Sequence, residues 1–334
     1  MSETHKETQK EVETEKLDQR HLDVALRPSE FDGYVGQEII KTNLNILLEA
    51  AKKRVSPPEH ILLYGPPGLG KTTLAHIIAR TLNTNIKISS GPSLTKIGDL
   101  AAILTNLSPN DVLFIDEIHR LNKTIEEVLY PAMESGVLDI IIGKGPSART
   151  IQLDLPPFTL VGATTRISLL SAPLRSRFSG GVYRLQFYTD EELAKIISGS
   201  AKVLKTEIDK DSALEIAKRS RFTPRIANFY LKRIRDYIEV NKLKVSKEVV
   251  KKVLEMLEVD SAGLGQIERE YLSIIENKFS GGPVGLSTLA AALSEDPGTI
   301  EEVIEPYLQQ LGFVEKTTRG RMITKAGREH LSVN

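Results

Sequence analysis

The sequence predicts an α/β domain built on a parallel sheet, followed by a small helical domain and a C-terminal winged-helix domain. From residue 22 to about residue 184, short apolar runs alternate with helix-like segments, an order typical of a parallel sheet covered by helices. Beyond Tyr188 the pattern becomes helical. Residues 265–334 contain three helix candidates and two short extended runs, which together predict a winged helix, a variant of the helix-turn-helix.

Four apolar runs are the strand candidates of the α/β domain: Ile61-Leu-Leu-Tyr64, Ile86-Lys-Ile88, Val112-Leu-Phe-Ile115 and Thr159-Leu-Val161. Residues 37–54, before the first of these runs, and residues 72–82, between the first two, repeat apolar side chains at helical spacing. Residues 137–155 form two extended runs around Gly143-Lys-Gly-Pro146, a pattern that predicts a projecting hairpin.

Helix-capping residues organise the rest of the chain. Thr189, Ser246 and either Asp209 or Asp211 are predicted to open helices of the helical domain, and Asp296 opens the third helix of the last domain. The predicted division is a disordered tail over residues 1–20 and domains over residues 21–185, 186–259 and 260–334.

The composition is that of an intracellular protein without a general charge bias. The 334 residues contain 44 Lys and Arg against 44 Asp and Glu, so any contact with nucleic acid must come from a local basic patch. The absence of cysteine excludes a disulfide-stabilised secreted domain and a thiolate metal site. Residues 1–20 lack the apolar core of a signal peptide, and no later segment approaches the roughly 18 apolar residues that cross a bilayer. We therefore expect a cytoplasmic protein with no membrane contact.

A phosphate-binding loop is predicted by Gly65-Pro-Pro-Gly-Leu-Gly-Lys-Thr72, which lies between a strand and a helix. Glycines at positions 65, 68 and 70 allow backbone N–H groups to close around phosphates. Lys71 can then reach the β and γ oxygens, and the Thr72 hydroxyl can reach Mg²⁺. The alternative, a glycine and proline turn with a chance lysine, does not explain the strand and helix on either side.

Carboxylates end the next predicted strand in Val112-Leu-Phe-Ile-Asp-Glu117. Beside a phosphate loop, Asp116 is expected to hold the Mg²⁺ shell and Glu117 to polarise a water molecule. Gly162-Ala-Thr-Thr165 ends another apolar strand with hydroxyl groups suited to positioning that water. Without the other motifs, this last segment would equally well be a simple turn cap.

Four longer segments contain these motifs or stand beside them: Gly65-Pro-Pro-Gly-Leu-Gly-Lys-Thr-Thr-Leu-Ala-His76, Leu113-Phe-Ile-Asp-Glu-Ile-His-Arg-Leu-Asn122, Pro157-Phe-Thr-Leu-Val-Gly-Ala-Thr-Thr-Arg166 and Gly281-Gly-Pro-Val-Gly285. Taken together, they resemble the RuvB family of AAA+ ATPases, which drive branch migration of Holliday junctions. The resemblance runs from about residue 26 to residue 331. It implies an α/β AAA+ P-loop domain, a helical lid domain and a C-terminal winged-helix domain, assembled as a homo-hexameric ring around duplex DNA, with RuvA and RuvC as partners.

The resemblance also implies roles for individual residues toward ATP or ADP and Mg²⁺. The residues expected near the nucleotide are Leu26, Arg27, Gly65, Gly68, Gly70, Lys71, Thr72, Thr73, Glu134, Ser135, Gly136 and Tyr188. Thr165 or Thr164 matches the sensor 1 position, Arg225 matches the sensor 2 arginine, and Arg177 matches an arginine finger that acts on a neighbouring subunit, with Arg175 nearby. From spacing alone, such isolated arginines would be solvated surface groups.

The same resemblance assigns partner contacts. The hairpin over about residues 137–155 is expected to dock RuvA, and Lys316, Arg319 and Arg321 match the basic DNA-contacting turn of the wing. Alternatively, these three basic residues only solubilise an exposed turn. The chain departs from the family pattern at Glu134-Ser-Gly136, Ser179-Gly-Gly181, Phe222 and Lys316.

Two other functions compete with branch migration. One is a clamp loader or origin-binding AAA+ protein, which the hairpin segment Gly145-Pro-Ser-Ala-Arg149 disfavours. The other is a nucleotide-switched binding module in which turnover is incidental. The presence of Lys71, Glu117 and Arg177 disfavours this switch, since a switch could dispense with the catalytic carboxylate.

Overall fold

The computed structural model describes residue 22, residues 24–142 and residues 149–333. The predicted N-terminal tail and the tip of the predicted hairpin lie outside these described residues. The chain divides into two compact units, Met1–Tyr188 and Thr189–Asn334. Within the described part of the chain, no helix has the length and apolarity needed to cross a membrane.

The first unit contains a five-stranded sheet in which every neighbouring pair is parallel. The strands are β1 (Ile61–Tyr64), β2 (Ile86–Ser90), β3 (Val112–Asp116), β6 (Thr159–Thr164) and β7 (Val182–Arg184), in the spatial order β2-β3-β6-β1-β7. The three inner strands are almost wholly buried, whereas the edge strand β7 is partly exposed. Parallel strands covered on both faces read as continuous apolar runs, which is why β1, β3 and β6 are evident in the sequence.

Helices of the first unit are α1 (Glu38–Arg54), α2 (Lys71–Leu82), α3 (Ile97–Thr105), α4 (Lys123–Glu134) and α5 (Ala172–Ser176). In α1, Ile40, Leu44 and Leu48 recur every four residues and are buried, as an amphipathic helix requires. Sequence patterns did not predict α3, α4 or β7. The reasons are the shortness of α3 and β7 and the internal Pro131 of α4.

The predicted hairpin is present as an antiparallel pair separate from the parallel sheet. It consists of β4 (Val137–Ile142) and β5 (Arg149–Asp154), with Val137 opposite Asp154 and Ile142 opposite Arg149. Leu138 is buried in the core of the first unit, which fixes the base of the hairpin.

Helices dominate the second unit, beginning with α6 (Asp190–Val203), α7 (Lys210–Lys218), α8 (Pro224–Asn241) and α9 (Lys247–Met256). The predicted caps at Thr189 and Ser246 are confirmed, since both side chains accept a backbone N–H of the first turn. Of the two candidates for the second helix, Asp209 is the cap: it accepts from Ser212 N–H at 2.7 Å.

The C-terminal part of the second unit has the predicted winged-helix elements. The helices are α10 (Gln266–Ser273), α11 (Leu286–Leu293), α12 (Pro297–Thr299), α13 (Glu305–Gln310) and α14 (Lys325–Val333), of which α12 and α13 form one interrupted helix. The strands are β8 (Val314–Thr317) and β9 (Gly320–Ile323). Single π-helical turns continue α10 and join α12 to α13. An apolar cluster centred on Tyr271, Leu289 and Leu308 is the core of this part.

Candidate functional site

The glycine-rich loop between β1 and α2 has a backbone that only glycine adopts easily. Gly65, Gly68 and Gly70 have φ angles of 142°, 84° and 98°. A methyl group added to Gly70 would lie 2.8 Å from the hydroxyl oxygen of Tyr34. The loop therefore exposes backbone rather than side chains at the N-terminus of α2, where N–H groups and the helix dipole favour an anion.

Lys71, the first residue of α2, lies folded over this loop. Its ammonium donates to the carbonyls of Gly65 at 2.8 Å and Pro66 at 3.0 Å, and the side chain is buried. Thr72 and Thr73 follow in the first turn and are half-buried. The loop and the lysine thus converge on one place, as the sequence predicts for a phosphate site.

Two tyrosine hydroxyl groups hydrogen-bond to the backbone of the loop. The hydroxyl groups of Tyr34 and Tyr188 each donate to the carbonyl of Leu69 at 3.3 Å and lie 3.2 Å from each other. Burial raises the pKa of Tyr34 well above its usual value, so that hydroxyl stays a neutral donor. Tyr188 was predicted to border the nucleotide; Tyr34 was missed, because no motif marks it.

The carboxyl end of β3 brings Asp116 and Glu117 to the same edge of the sheet as the loop. Glu117 adopts a left-handed backbone with φ of 46°, and its N–H donates to Asp116 Oδ1 at 3.0 Å. Non-glycine residues adopt this conformation mostly where surrounding contacts impose it, and such positions cluster at functional sites. The left-handed turn at Glu117 thus directly follows the end of β3, where both carboxylates are located.

Hydroxyl groups at the end of β6 complete this edge. The hydroxyl and N–H of Thr165 donate to Glu117 Oε2 at 3.0 and 3.3 Å. The same carboxylate oxygen lies 3.2 Å from Nδ1 of His119, which is itself 2.9 Å from the Thr164 hydroxyl. Of the two sensor 1 candidates, Thr165 is the one that contacts the carboxylate. His119 was not predicted as a site residue, although it belongs to the motif around Asp116.

Arg177 lies at the opposite, amino edge of the sheet. Its guanidinium pairs with Glu134 at 2.8 Å, donates to the Pro173 carbonyl at 2.8 Å and lies 4.5 Å above the ring of Tyr130. A cleft of about 770 Å³ opens here, lined among others by Pro58, which precedes β1, and Gly136. The structure therefore does not bring Glu134, Ser135 and Gly136 to the phosphate loop of their own chain, because α4 runs antiparallel to the strands and ends at their amino edge.

His60 holds this amino edge together. Its Nδ1 accepts the N–H of Leu160 at 2.9 Å, so the proton is on Nε2, which lies 3.0 Å from the Met133 carbonyl. Burial lowers the pKa of His60, because the charged ring would be desolvated. A neutral imidazole therefore connects the starts of β1 and β6 to the end of α4.

Leu26 and Arg27 follow a helical turn that includes Val24 and Ala25, and they precede α1. The Leu26 N–H donates to the Leu22 carbonyl at 3.0 Å, and Arg27 is exposed beside a second cleft of about 440 Å³ that His76 also lines. Burial, with a smaller contribution from Arg27, lowers the pKa of His76.

Arg225 belongs to the second unit. It is exposed in the first turn of α8, immediately after Thr223 and Pro224. Arg175, by contrast, is an exposed residue of α5 in the first unit.

In the wing, the structure corrects the prediction of three basic residues on one exposed turn. Lys316 and Arg319 are exposed, but Arg321 lies in β9 with 7% of its surface exposed. Its guanidinium pairs with buried Glu305 at 2.7 Å and with Glu301 at 2.9 Å. A buried guanidinium requires such partners, and the helix before the hairpin supplies them.

Acidic residues also reach the exposed lysine of the wing. The Lys316 ammonium lies 3.0 Å from Glu301, the same carboxylate that Arg321 contacts. Buried Tyr271 donates to Glu305 at 3.0 Å, so the ion pair of Arg321 with Glu305 is part of a hydrogen-bonded network. Arg319 lies exposed at the tip of the hairpin, between β8 and β9.

Family models match three consecutive stretches of the chain. Residues 26–185 match the Holliday junction DNA helicase RuvB P-loop domain, residues 188–260 the RuvB AAA lid domain, and residues 261–332 the RuvB C-terminal winged helix domain.

Whole proteins with the same arrangement are similar over nearly the full length. The Holliday junction branch migration complex subunit RuvB of Fusobacterium nucleatum is 54% identical over 319 residues, which cover 95% of this chain and 96% of that protein. The RuvB Holliday junction branch migration motor of Thermotoga maritima superimposes with a TM-score of 0.82 and 50% identity, covering 92% of this chain and 98% of that one. A singly substituted form of the same protein gives a TM-score of 0.83.

These matches agree with the parallel α/β sheet, the glycine-rich loop, the paired carboxylates and the winged helix described above. They exclude the clamp-loader alternative. The chain therefore belongs to the RuvB family, whose members are nucleotide-binding P-loop AAA+ ATPases and motors of Holliday junction branch migration in DNA recombination and repair.

Proposed function

We propose that this chain works as a cytoplasmic, homo-hexameric ring motor that moves duplex DNA through its centre and so branch-migrates Holliday junctions. The observation that carries the proposal is the separation of Arg177 from the phosphate loop, at opposite edges of one sheet. An arginine placed there serves a nucleotide only when it belongs to a neighbouring subunit. The hydrolytic site is then complete only in an assembly.

The residues at the carboxyl edge fit ATP and a divalent cation. The glycine backbone angles leave room for phosphate oxygens, and Lys71, Thr72 and Thr73 stand at the N-terminus of α2. Mg²⁺, when bound, neutralises charge on the phosphate oxygens. We assign Thr72 and Asp116 as the residues of this chain that would hold the ion.

Glu117 is the residue that orients and polarises the attacking water. The Thr165 hydroxyl donates to one of its carboxylate oxygens at 3.0 Å. The same hydroxyl can therefore link the presence of the γ-phosphate to the position of the carboxylate. His119, at 3.2 Å, is a second fixed neighbour of that oxygen. We assign Leu26, Arg27 and Tyr188 to the border of the nucleotide within the same chain.

Arg177 acts in trans on the γ-phosphate of the neighbouring subunit. Arg177 now pairs with Glu134, so Glu134, Ser135 and Gly136 belong to the same intersubunit surface and reach a nucleotide only across it. An arginine supplied across an interface contributes roughly 10³ to 10⁵ in rate in GTPases. Arg225, in the second unit, is assigned as the sensor 2 arginine.

DNA contact is assigned to Lys316 and Arg319, which are exposed at the wing. Arg321 is instead a positioning residue, since Glu305 and Glu301 already satisfy its guanidinium. Phosphate contacts of this kind bind DNA of any sequence and weaken steeply with salt.

The functional domains follow this division. Residues 21–185 would bind the nucleotide and supply the arginine finger, residues 186–259 form the lid, and residues 260–334 contact DNA.

RuvA is the partner expected at the hairpin of β4 and β5. Ile151 of this hairpin exposes 44% of its surface, and an exposed apolar group is suited to docking. RuvC is a further partner at the junction. The name of the F. nucleatum relative, a subunit of a branch migration complex, supports this assembly.

A trans-complementation experiment tests the shared site. ATP turnover is measured for wild type, Arg177→Ala and Lys71→Ala over a range of protein concentrations, with duplex DNA and RuvA, and then for mixtures of the two variants. Turnover per wild-type chain should rise cooperatively with concentration, each variant should be inactive, and the mixture should recover part of the activity. Turnover that is independent of concentration and of Arg177 would refute the ring motor.

A second experiment separates a motor from a nucleotide-operated switch. Glu117→Gln preserves the shape of the side chain and removes its charge. A motor should bind ATP and DNA in this form but leave a synthetic four-way junction unmoved, whereas a switch should retain its activity. Thr165→Val, which removes the hydroxyl from Glu117, should slow turnover without preventing nucleotide binding.

A further inference from the structure

The turn before α8 has a strained backbone that other contacts must maintain. Arg221 and Phe222 have consecutive positive φ angles of 49° and 57°. Bulky side chains disfavour this left-handed region and remain there only where the surroundings over-determine the conformation. The turn leads directly into Thr223, Pro224 and Arg225, so its shape sets where the first turn of α8 begins.

The contacts that hold this turn come from the winged-helix part of the chain. The Arg221 guanidinium donates to the Gly263 carbonyl at 2.9 Å and pairs with Glu268 at 2.7 Å. It also lies 5.2 Å above the ring of Tyr307, which is 5.9 Å from the ring of Phe222. Both strained residues therefore contact the residues matched by the winged-helix model, across the boundary of the lid.

Glu268 is well placed for this role because it is buried and already fixed. Only 4% of its side chain is exposed. Its second carboxylate oxygen accepts the Gly265 N–H at 3.0 Å and so caps α10. A carboxylate held at both oxygens cannot follow Arg221 if the lid moves alone, since a buried charge that loses its partner is costly.

The segment between the lid and the winged helix is also tied down. Asp260 accepts the N–H groups of Ala262 and Leu264 at 2.9 and 2.8 Å, and its other oxygen lies 2.8 Å from His330 of the last helix. Gly263 has a φ of 77°, and a methyl group added there would lie 2.5 Å from the Arg219 carbonyl oxygen. Residues 260–264 are therefore fixed by hydrogen bonds and by close backbone packing against the residues that precede α8.

We propose that Arg221, with Phe222, is a positioning residue that joins the first turn of α8 to the winged-helix domain, so that lid and winged helix turn as one body. This inference rests on the proposed function, in which Arg225 senses the nucleotide. A displacement of Arg225 caused by ATP binding or hydrolysis is then delivered to the DNA-binding wing through the pair of Arg221 with Glu268.

Functional coupling is tested with Glu268→Gln, whose amide oxygen can still accept the Gly265 N–H while the charge is lost. The matched control is Glu215→Gln, which removes the charge that pairs with Arg219 at 2.7 Å and with Lys247 at 4.0 Å; Glu215 is also largely buried, and both of its partners belong to the lid. ATP turnover is measured in the assembled protein with and without duplex DNA. We expect Glu268→Gln to keep its DNA-free turnover and to lose at least about fivefold of the stimulation by DNA, the lower range of coupling between sites. Glu215→Gln should keep both. Equal stimulation in the two variants would overturn the proposal.

Rigidity is measured directly and without catalysis. The chain has no cysteines, so spin labels can be introduced at exposed Val240 of the lid and exposed Val303 of the winged helix. Double electron-electron resonance should give one narrow distance distribution that is the same with ADP and with a non-hydrolysable ATP analogue. Glu268→Gln should broaden it. A broad or nucleotide-dependent distribution in the otherwise wild-type chain would contradict the single body.

Glycine variants provide a second route if Glu268→Gln does not fold. Gly263→Ala brings a methyl group against the Arg219 carbonyl, whereas Gly312→Ala, at a similar φ of 70°, meets no atom within 4 Å. Only Gly263→Ala should broaden the distribution, and equal broadening would refute the role of this segment. If wild type shows no response of turnover to DNA while the distribution is narrow, the proposed motor fails and the rigid connection stands.

Discussion

The phosphate loop and the basic wing are the two regions that we propose to bind phosphate groups, and they position their cations in different ways. In the loop, backbone geometry creates the site: three glycines with positive φ angles and the start of α2 fix where Lys71 lies. In the wing, acidic side chains decide which cations are available. Glu305 and Glu301 satisfy Arg321, Glu301 also contacts Lys316, and Arg319 stays exposed.

The difference shows that a basic residue in the sequence predicts a contact with an anionic ligand only when the acidic partners of that residue in the fold are known. A glycine-rich motif between a strand and a helix specifies its own geometry, since the backbone supplies the donors. Three basic residues within a short segment do not, because acids distant in sequence can bury or neutralise any of them. The alternative that the wing residues only solubilise a turn is wrong for Arg321, which is buried.

The largest effect should come from the loop. Lys71→Ala should lower the rate constant for ATP hydrolysis by roughly 10² to 10³, the loss typical when one group that stabilises developing charge is removed. The control is Lys87→Ala, an exposed lysine of β2. Steady-state turnover under saturating ATP measures both variants. A Lys71→Ala variant with near wild-type turnover would show that the loop does not bind phosphate in this way.

A change of stability rather than of DNA binding is expected for Arg321→Ala. Removing one partner of a buried ion pair costs about 3 to 5 kcal/mol in free energy of unfolding, because Glu305 is left uncompensated. Arg319→Ala should cost less than about 0.5 kcal/mol, as for most exposed positions. Urea unfolding followed by circular dichroism compares them. Equal stability of the two variants would contradict the distinction drawn between them.

Salt dependence separates the exposed wing cations from the buried one. Lys316→Ala and Arg319→Ala should each reduce the slope of log affinity for duplex DNA against log salt concentration by about one, because one phosphate contact is lost. Fluorescence anisotropy with two unrelated duplexes should show the same change for both sequences. An unchanged slope would support the interpretation that these residues only solubilise the turn.

The smallest expected effect concerns a neutral side chain at the amino edge of the sheet. The pKa of His60 is lowered in the folded chain, so its contribution to stability is fully present above its ordinary pKa of 6.5 and is lost as the pH falls through the folded value. The difference in free energy of unfolding between wild type and His60→Gln should therefore decrease from about pH 7.5 to about pH 5.5. A constant difference would mean that the imidazole does not titrate with unfolding.

Much of the fold could be predicted because local patterns and tertiary structure agree. The buried strands β1, β3 and β6 are continuous apolar runs, and the cap at Thr189 precedes its helix by one residue. The helix α4 was missed, since Pro131 and its charged residues obscure the period, and β7 is only three residues long.

For the candidate site, the motifs identified the residues that lie at strand ends, but not their neighbours. Tyr34 contacts the phosphate loop and His119 contacts Glu117. Neither contact could be predicted from the spacing of residues along the chain. Similarly, Glu134 and Arg177 are 43 residues apart and form one ion pair at the amino edge. Such long-range pairs depend on how helices pack against the sheet.

By itself, the sequence determined the order of the α/β, helical and winged-helix parts and the phosphate loop, because each follows from residue type and spacing along the chain. Its motifs also carried the resemblance to the RuvB family. Only the tertiary structure decided which edge of the sheet carries Arg177, which wing cation is buried, and how Arg221 reaches Glu268. These features depend on contacts between residues far apart in sequence, and the burial that makes an ion pair strong or a cation unavailable exists only in the folded chain.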